Sequence, residues 1–421
     1  MKKKVVIVGA GFGGLKLAKA LGKHPELVDV TIIDKRNHHL FQPLLYQVAT
    51  AGLSPADIAS PIRGILSDYQ NTQVFMDEIL NVDLSNNKIE SSLSTYHYDF
   101  LVLACGASHS YFGKDEWEEF APGLKTLEHA TEIRRRILTA FEKAEKENNE
   151  QVKESYLTFV IVGAGPTGVE MAGAIAEIAK QTLEHDFRNI DPKKTKVYLI
   201  EGQKRVLAQF NEILSEYADA DLKHLEVQII NEALVTEINR DGVIYRKGDV
   251  ISSIKAKTVI WAAGVKPAKI NATLGVELDR AGRIVVNEDL TVAHHKNVFV
   301  IGDQANFTTK DGHVLPGLAP VAMQMGRHVA KNILAQIEQA KMSSFKYLDK
   351  GQMATIGRNK AVMEYKDLKA RGRFAWMSWL FVHIYYLIGF KNRFIVIFQW
   401  IWSYMTFSRG ARLITNEKWK D

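Results

Sequence analysis

Two glycine loops carry the chemistry that can be read most directly from this chain. Gly9-Ala10-Gly11-Phe12-Gly13-Gly14 follows the β-branched run Val5-Val6-Ile7-Val8, and Gly163-Ala164-Gly165-Pro166-Thr167-Gly168 follows Leu157 to Val162. In each, the first glycine of GxGxxG permits a tight turn, the second lets the backbone approach a pyrophosphate, and the third lets a helix pack closely on the strand. The phosphates would then sit at a helix N-terminus, where free N–H groups and the helix dipole favour negative charge. Each pattern ends on a second apolar run closed by an acid, Val30 to Asp34 and Lys196 to Glu201. Such a carboxylate can accept hydrogen bonds from a ribose diol. Glu201 would also repel a 2′-phosphate, so NADH is expected over NADPH, with Lys204 and Arg205 close enough to temper the preference. The interval from Gly168 to Glu201 exceeds the usual roughly 20 residues. A helix from Val169 to about His185 and a loop around Asp191-Pro192 account for the excess. Two complete patterns in one chain imply two dinucleotides.

The elements that must position these loops follow from composition and periodicity. With 421 residues and 46% apolar side chains, the chain is long enough for two or three packed domains, and disorder over most of it is excluded. The net charge of +6 is spread along the chain. That argues against nucleic acid and leaves room for an anionic membrane surface. Cys105 is the one cysteine, which excludes an intramolecular disulfide, a CxxC redox pair and a thiolate zinc cluster. His38 and His39 are adjacent, a poor spacing for chelation, so no metal site is expected. The start Met1-Lys2-Lys3-Lys4 runs straight into the first glycine turn and reads as a strand, not a signal peptide. Lys35 and Arg36 suit either a solvated loop or phosphate and adenosine contacts.

Further along, Val74 to Val82 reads as a strand, Asp83 to Glu90 as a hairpin turn, and Tyr98 to Gly106 as a buried strand leaving through glycine. Thr126 to Asn149 has apolar residues at helical spacing and reads as a surface helix bridging domains. Thr258 to Trp261 is a strand ending in Ala262-Ala263-Gly264, and Asn297 to Ile301 one ending in Gly302-Asp303. In a flavoprotein, a carboxylate at such a strand end can meet the ribitol hydroxyls.

From Phe374 the composition changes: Phe374 to Phe390 and Phe394 to Phe407 are apolar and aromatic, separated by Lys391-Asn392-Arg393. Each run is shorter than the roughly 20 residues needed to span a bilayer. Five of the seven tryptophans lie between Trp376 and Trp419, and Lys366, Lys369, Arg371, Arg373, Arg409 and Arg412 flank the segment. Aromatic residues and flanking positive charge suit helices lying in one leaflet. A buried interface and a transmembrane hairpin are the alternatives.

At this point the chain resembles the two-dinucleotide-binding flavoproteins, and within them the type II NADH:quinone oxidoreductases. The more specific pieces are Phe41-Gln-Pro-Leu-Leu-Tyr-Gln-Val-Ala-Thr50, Asn297-Val-Phe-Val-Ile-Gly-Asp303, Leu318-Ala-Pro-Val-Ala-Met-Gln324 and Asp349-Lys-Gly-Gln-Met-Ala-Thr-Ile-Gly-Arg358. The resemblance implies non-covalent FAD on Gly9, Gly11, Gly13 and Gly14, with Asp34 and Lys35 at the adenosine, Leu80 at the adenine through its backbone, and Asp303 on the ribitol. It implies NADH on Gly163, Gly165, Gly168 and Glu201, and it adds Gly264, Ala319 and Pro320 to the cofactor-binding set. Glu170 matches a carboxylate beside the nicotinamide and Gln324 an amide on the quinone side, and these two are the catalytic candidates. Pro320 stands where many members carry glutamine.

The implied architecture is α/β: two Rossmann-like domains for FAD and NADH plus a C-terminal helical membrane-anchoring module. Its boundaries are 1–125 and 271–340 for FAD, 126–155 for the bridging helix, 156–270 for NADH and 341–421 for the C-terminal module, with amphipathic helices from about 372. The implied activity is NADH oxidation by a membrane quinone without proton pumping, by a monotopic homodimer on the cytoplasmic side of a cell inner membrane. Disulfide reductases and sulfide:quinone oxidoreductases need at least two reactive cysteines. A soluble reductase of an electron-carrier protein and a nucleotide-sensing flavoprotein remain as alternatives.

Overall fold

The computed structural model describes residues 1–406 and 409–414; Phe407 and Trp419, counted above with the aromatic segment, lie outside them. The chain forms two compact units, each assembled from three separated stretches. One comprises Met1–Leu40, Ala59–Ser108 and Val265–Asp349; the other comprises Phe41–Ile58, His109–Gly264 and Lys350–Asp421.

The first unit is built on a six-stranded sheet ordered Thr291–Val292, His295–Val300, Phe100–Leu103, Lys3–Val8, Val28–Asp34, Thr72–Met76. All neighbours are parallel except the first pair. Lys3–Val8 lies between strands that follow it on opposite sides, which is the switch point where open α/β sheets leave a crevice for ligands. The helix Phe12–Leu21 packs on Ala319–Ile337 at very short range: a Cβ on Gly326 would lie 2.3 Å from the Gly13 carbonyl oxygen.

The stretch Val74 to Val82, expected as one strand, is two: Thr72–Met76 and Ile79–Asp83. Asp77 breaks it, because its carboxylate accepts the Glu78 N–H at 2.8 Å and the Tyr96 hydroxyl at 2.9 Å. The second strand then turns into a hairpin with Lys88–Ser91. Its register slips between Ile79 and Asn81, so Leu80 sits on a bulge and is exposed.

The second unit repeats the plan with the parallel order Val227–Ile230, Lys196–Ile200, Thr158–Val162, Thr258–Trp261, again with the glycine-loop strand at the switch point. The span 126–155, read from sequence as bridging, consists of Leu127–Lys146 and Glu150–Tyr156 and belongs wholly to this unit. It is capped by Thr126, and its Phe141 ring lies 5.6 Å from Phe159 of the sheet. The segment Phe41–Ile58 also belongs here.

A three-stranded antiparallel sheet, Gln352–Gly357, Lys360–Tyr365 and Leu368–Arg371, completes the unit, followed by the helices Gly372–Tyr386 and Phe390–Thr406. That sheet rests on the helix Pro166–Glu177 through Gly173, where an added Cβ would lie 1.7 Å from the Ile356 carbonyl oxygen. No side chain fits there. Gly173→Ala is expected to destabilise the protein by at least the roughly 1–3 kcal/mol typical of overpacking, measured as a loss of Tm, whereas alanine at the open Gly202 should not.

Candidate functional site

The two glycine loops fold alike. Gly9 and Gly163 take φ of +104° and +99°, and a Cβ on Gly14 or Gly168 would lie 1.9 Å or 1.8 Å from the carbonyl oxygen of Gly9 or Gly163. These positions need glycine for different reasons, one for its left-handed backbone and the other for close packing. Gly11 and Gly165 differ again: a Cβ on either would meet nothing within 4 Å. Both start a helix, and neither helix has a side-chain cap. Open space facing uncapped N–H groups is a cradle that fits a pyrophosphate. Gly13 is crowded instead, by Ile301 and the Ala322 carbonyl.

The acids close each cradle. Asp34 accepts the Ala10 N–H at 2.7 Å and the Arg36 N–H at 2.8 Å. Glu201 accepts the equivalent Ala164 N–H at 2.5 Å and the Gln203 N–H at 2.8 Å. Each carboxylate therefore holds its own glycine loop and retains lone pairs for a ribose. Lys35 is exposed and lies 3.7 Å from Glu78.

In the first unit Gly302 takes φ +72° and Asp303 stands against Gly317, where a Cβ would lie 3.0 Å from the carboxyl group. Gln304, fully buried behind it, accepts the Cys105 N–H at 2.9 Å and donates to Asn271 at 2.5 Å. Ala319 and Pro320 form the uncapped first turn of Ala319–Ile337. Gln324, on the same helix, uses both ends of its amide on one residue, donating to the Leu348 carbonyl at 2.8 Å and accepting the Leu348 N–H at 3.0 Å. In the second unit Gly264 takes φ +84° with the Phe112 ring against it.

Glu170 lies in the second unit and lines a cavity of about 120 Å³ together with Tyr46, Gln47, Glu177, Thr355, Arg358, Trp376, Trp379, Trp400 and Arg409. Its carboxyl group accepts the Thr355 backbone N–H, but loss of water dominates and pushes its pKa up to about 8. It therefore carries a proton at neutral pH. Burial, with Glu170 nearby, also raises the Tyr46 hydroxyl. Two turns along the helix from Glu170, Glu177 accepts the Arg358 backbone N–H and lies 3.4 Å from the Arg409 guanidinium, which also donates to the Thr50 carbonyl at 2.8 Å. The sequence reading missed Tyr46, Gln47, Thr355, Glu177, Arg358, Trp400 and Arg409 as site residues. Four of them lay inside the segments 41–50 and 349–358 already singled out, and Glu177 shares a helix face with Glu170.

Residues 3–326 match the pyridine nucleotide-disulphide oxidoreductase family, and residues 350–409 match the NDH2 C-terminal domain. The type II NADH:quinone oxidoreductase Ndh of Mycobacterium tuberculosis is 41% identical over 99% of this chain and 91% of its own length. The chain belongs to the type II NADH:quinone oxidoreductases. Its fold is that of NDH2 from Plasmodium falciparum, a structure in complex with NADH, at a TM-score of 0.89 and 20% identity, covering 99% of this chain and 100% of that one. The sulfide:quinone oxidoreductase of Aquifex aeolicus is also similar, at a TM-score of 0.74 and 22% identity over 93% and 91% of the two chains. The family name refers to a disulphide, but this chain has the single Cys105 and so no cysteine pair.

The raised pKa of Glu170 has a defined consequence for stability. The folded protein keeps a proton there up to about pH 8, while the unfolded chain releases it near the ordinary value of 4.5, so the group's contribution is lost as pH rises through that window. Glu170→Gln, which stays neutral, should gain Tm relative to the parent between pH 5 and 8. Thermal melts of the two proteins across that range check this; parallel curves would mean that the carboxyl group is not shifted.

Proposed function

We propose that this chain oxidises NADH and reduces a membrane quinone, ubiquinone or menaquinone, as a FAD-dependent, non-proton-pumping entry point to a respiratory chain. When bound, FAD supplies the two-electron chemistry that joins a hydride donor to a quinone. Gly9, Gly11, Gly13 and Gly14 would hold its pyrophosphate, Asp34 and Lys35 its adenosine, the Leu80 backbone its adenine and Asp303 its ribitol. Ala319 and Pro320 would complete its surroundings, and Gly264 is a further cofactor-binding candidate in the second unit. Gly163, Gly165 and Gly168 would hold the NADH pyrophosphate and Glu201 its ribose.

Glu170 orients the nicotinamide and holds a proton available for transfer, since its carboxyl group is neutral at working pH. Gln324 acts on the quinone side as a positioning group, because its amide is engaged by the Leu348 backbone.

The observation that carries the reading is the cavity that joins Glu170 to the terminal helices. Trp376, Trp379 and Trp400 line it, while Phe374, Met377, Phe381, Phe394, Phe398, Trp402 and Met405 of the same helices are exposed. Among the described residues no helix is long and apolar enough to cross a membrane. An apolar outer face of this kind suits helices lying in one leaflet, from which a lipid-soluble quinone enters. The reading places the enzyme as a homodimer at the cytoplasmic face of a cell inner membrane, where NADH is found.

Anaerobic mixing of the yellow protein with NADH, followed by a short-chain quinone, tests the chemistry. Bleaching of the visible absorbance and its rapid return on adding quinone are expected; bleaching without return would move the acceptor to another molecule. The membrane assignment is separable. Burying a phenylalanine side chain is worth about 1.5–3 kcal/mol, so Phe381→Ser with Phe398→Ser should weaken co-sedimentation with anionic vesicles by more than about tenfold. Unchanged sedimentation would assign that face to something other than lipid.

A further inference from the structure

Four polar side chains form a hydrogen-bonded chain from the last helix to Thr355, which lines the cavity with Glu170, and donor chemistry fixes its direction. The Trp400 indole N–H donates to Gln47 Oε1 at 2.7 Å. An indole nitrogen is a donor only, so it must face the amide oxygen, and this settles which end of the Gln47 amide points where. The amide nitrogen is thereby turned to Tyr46 and donates to its hydroxyl oxygen at 3.0 Å. Tyr46 is buried, and its own hydroxyl hydrogen needs an acceptor. Thr355 Oγ1, 3.1 Å away, is that acceptor. Thr355 thus receives a hydrogen bond from behind and has its own hydroxyl hydrogen left to donate into the cavity that it lines. The Thr355 backbone N–H meanwhile engages the Glu170 carboxyl group.

We propose that Trp400 is a positioning residue that sets the polarity of this chain, so that the Thr355 hydroxyl presents a donor to a quinone carbonyl. The inference rests on the quinone reading above and adds to it a recognition element for the substrate's oxygen. A quinone carbonyl is purely an acceptor. If the chain ran the other way, Thr355 would donate to Tyr46 and turn a lone pair towards the carbonyl, which is repulsive. Without the indole N–H nothing holds the Gln47 amide in one orientation, and both polarities become accessible.

The local structure supports this use. The ladder between Gln352–Gly357 and Lys360–Tyr365 slips between Thr355 and Gly357, an irregularity that re-aims the backbone at this point. The Trp400 ring lies 5.7 Å from that of Trp379, a packing contact that another aromatic residue can make.

Trp400→Phe in the full-length holoenzyme tests the proposal. One hydrogen bond's orientation is worth about 0.5–1.5 kcal/mol, so KM for a short-chain quinone should rise roughly two- to tenfold. The bleaching rate with NADH should hold, and so should turnover with ferricyanide, which has no carbonyl to recognise. Gln47→Leu cuts the same chain one link further in, and the double variant should lose no more than Gln47→Leu alone. Gln47→Leu also serves should Trp400→Phe fold poorly. Equal losses with quinone and ferricyanide would make Trp400 merely structural and overturn the proposal. So would an unchanged quinone KM in either variant, or additive losses in the pair. A parent enzyme that bleaches with NADH but never reduces quinone would instead overturn the underlying functional reading.

Discussion

Backbone resting directly on backbone is the constraint on which this molecule depends, and only glycine permits it. Gly14 on Gly9 and Gly168 on Gly163 bring each nucleotide helix down onto its own loop, which leaves the uncapped N–H groups facing open space at Gly11 and Gly165. Gly326 on Gly13 then fixes the helix carrying Ala319, Pro320 and Gln324. Gly173 on Ile356 does the same in the second unit, and its effect reaches the chemistry: it sets the strand Gln352–Gly357 against the helix Pro166–Glu177, so that Thr355 meets Glu170. A methyl group at any of these contacts would separate elements that have to act at hydrogen-bonding range.

The cavity formed in this way treats its two glutamates differently. Glu170 has a single backbone donor and little water, which keeps its proton in place. Glu177, on the same helix face, meets the Arg358 backbone N–H and the Arg409 guanidinium. Arg358 also donates to the Ser403 carbonyl and stacks over Tyr404, at 4.7 Å. The far end of the cavity is thus a polar fastening for the last helix, while the near end is a proton-holding group. Trp400 belongs to the same helix, so the element with an exposed apolar outer face also supplies the indole N–H that Gln47 accepts.

Several features were legible in the sequence because they depend on neighbours a few positions away. The glycine spacings dictate turns and helix starts, the acids at Asp34 and Glu201 close strands whose alternation is visible, and the change to aromatic composition after Phe374 marks a surface module. The reading of Val74 to Val82 as one strand failed for a local reason of another kind: Asp77 satisfies its neighbours with side-chain hydrogen bonds, and hydropathy does not register these.

By itself, then, the sequence determined that the chain carries two strand, glycine-turn and helix patterns suited to dinucleotides, and that it has no cysteine pair. Tertiary structure alone decided what the remaining groups can do. Tyr46 and Thr355 are 309 positions apart and share a hydrogen bond; Gln47 and Trp400 are 353 apart and share another. Gln324 has its amide engaged by Leu348 and Glu170 keeps a proton near neutral pH because of what surrounds each of them in space. Backbone conformation follows from short-range sterics, whereas protonation and hydrogen-bond direction depend on which distant groups exclude water and supply the partner.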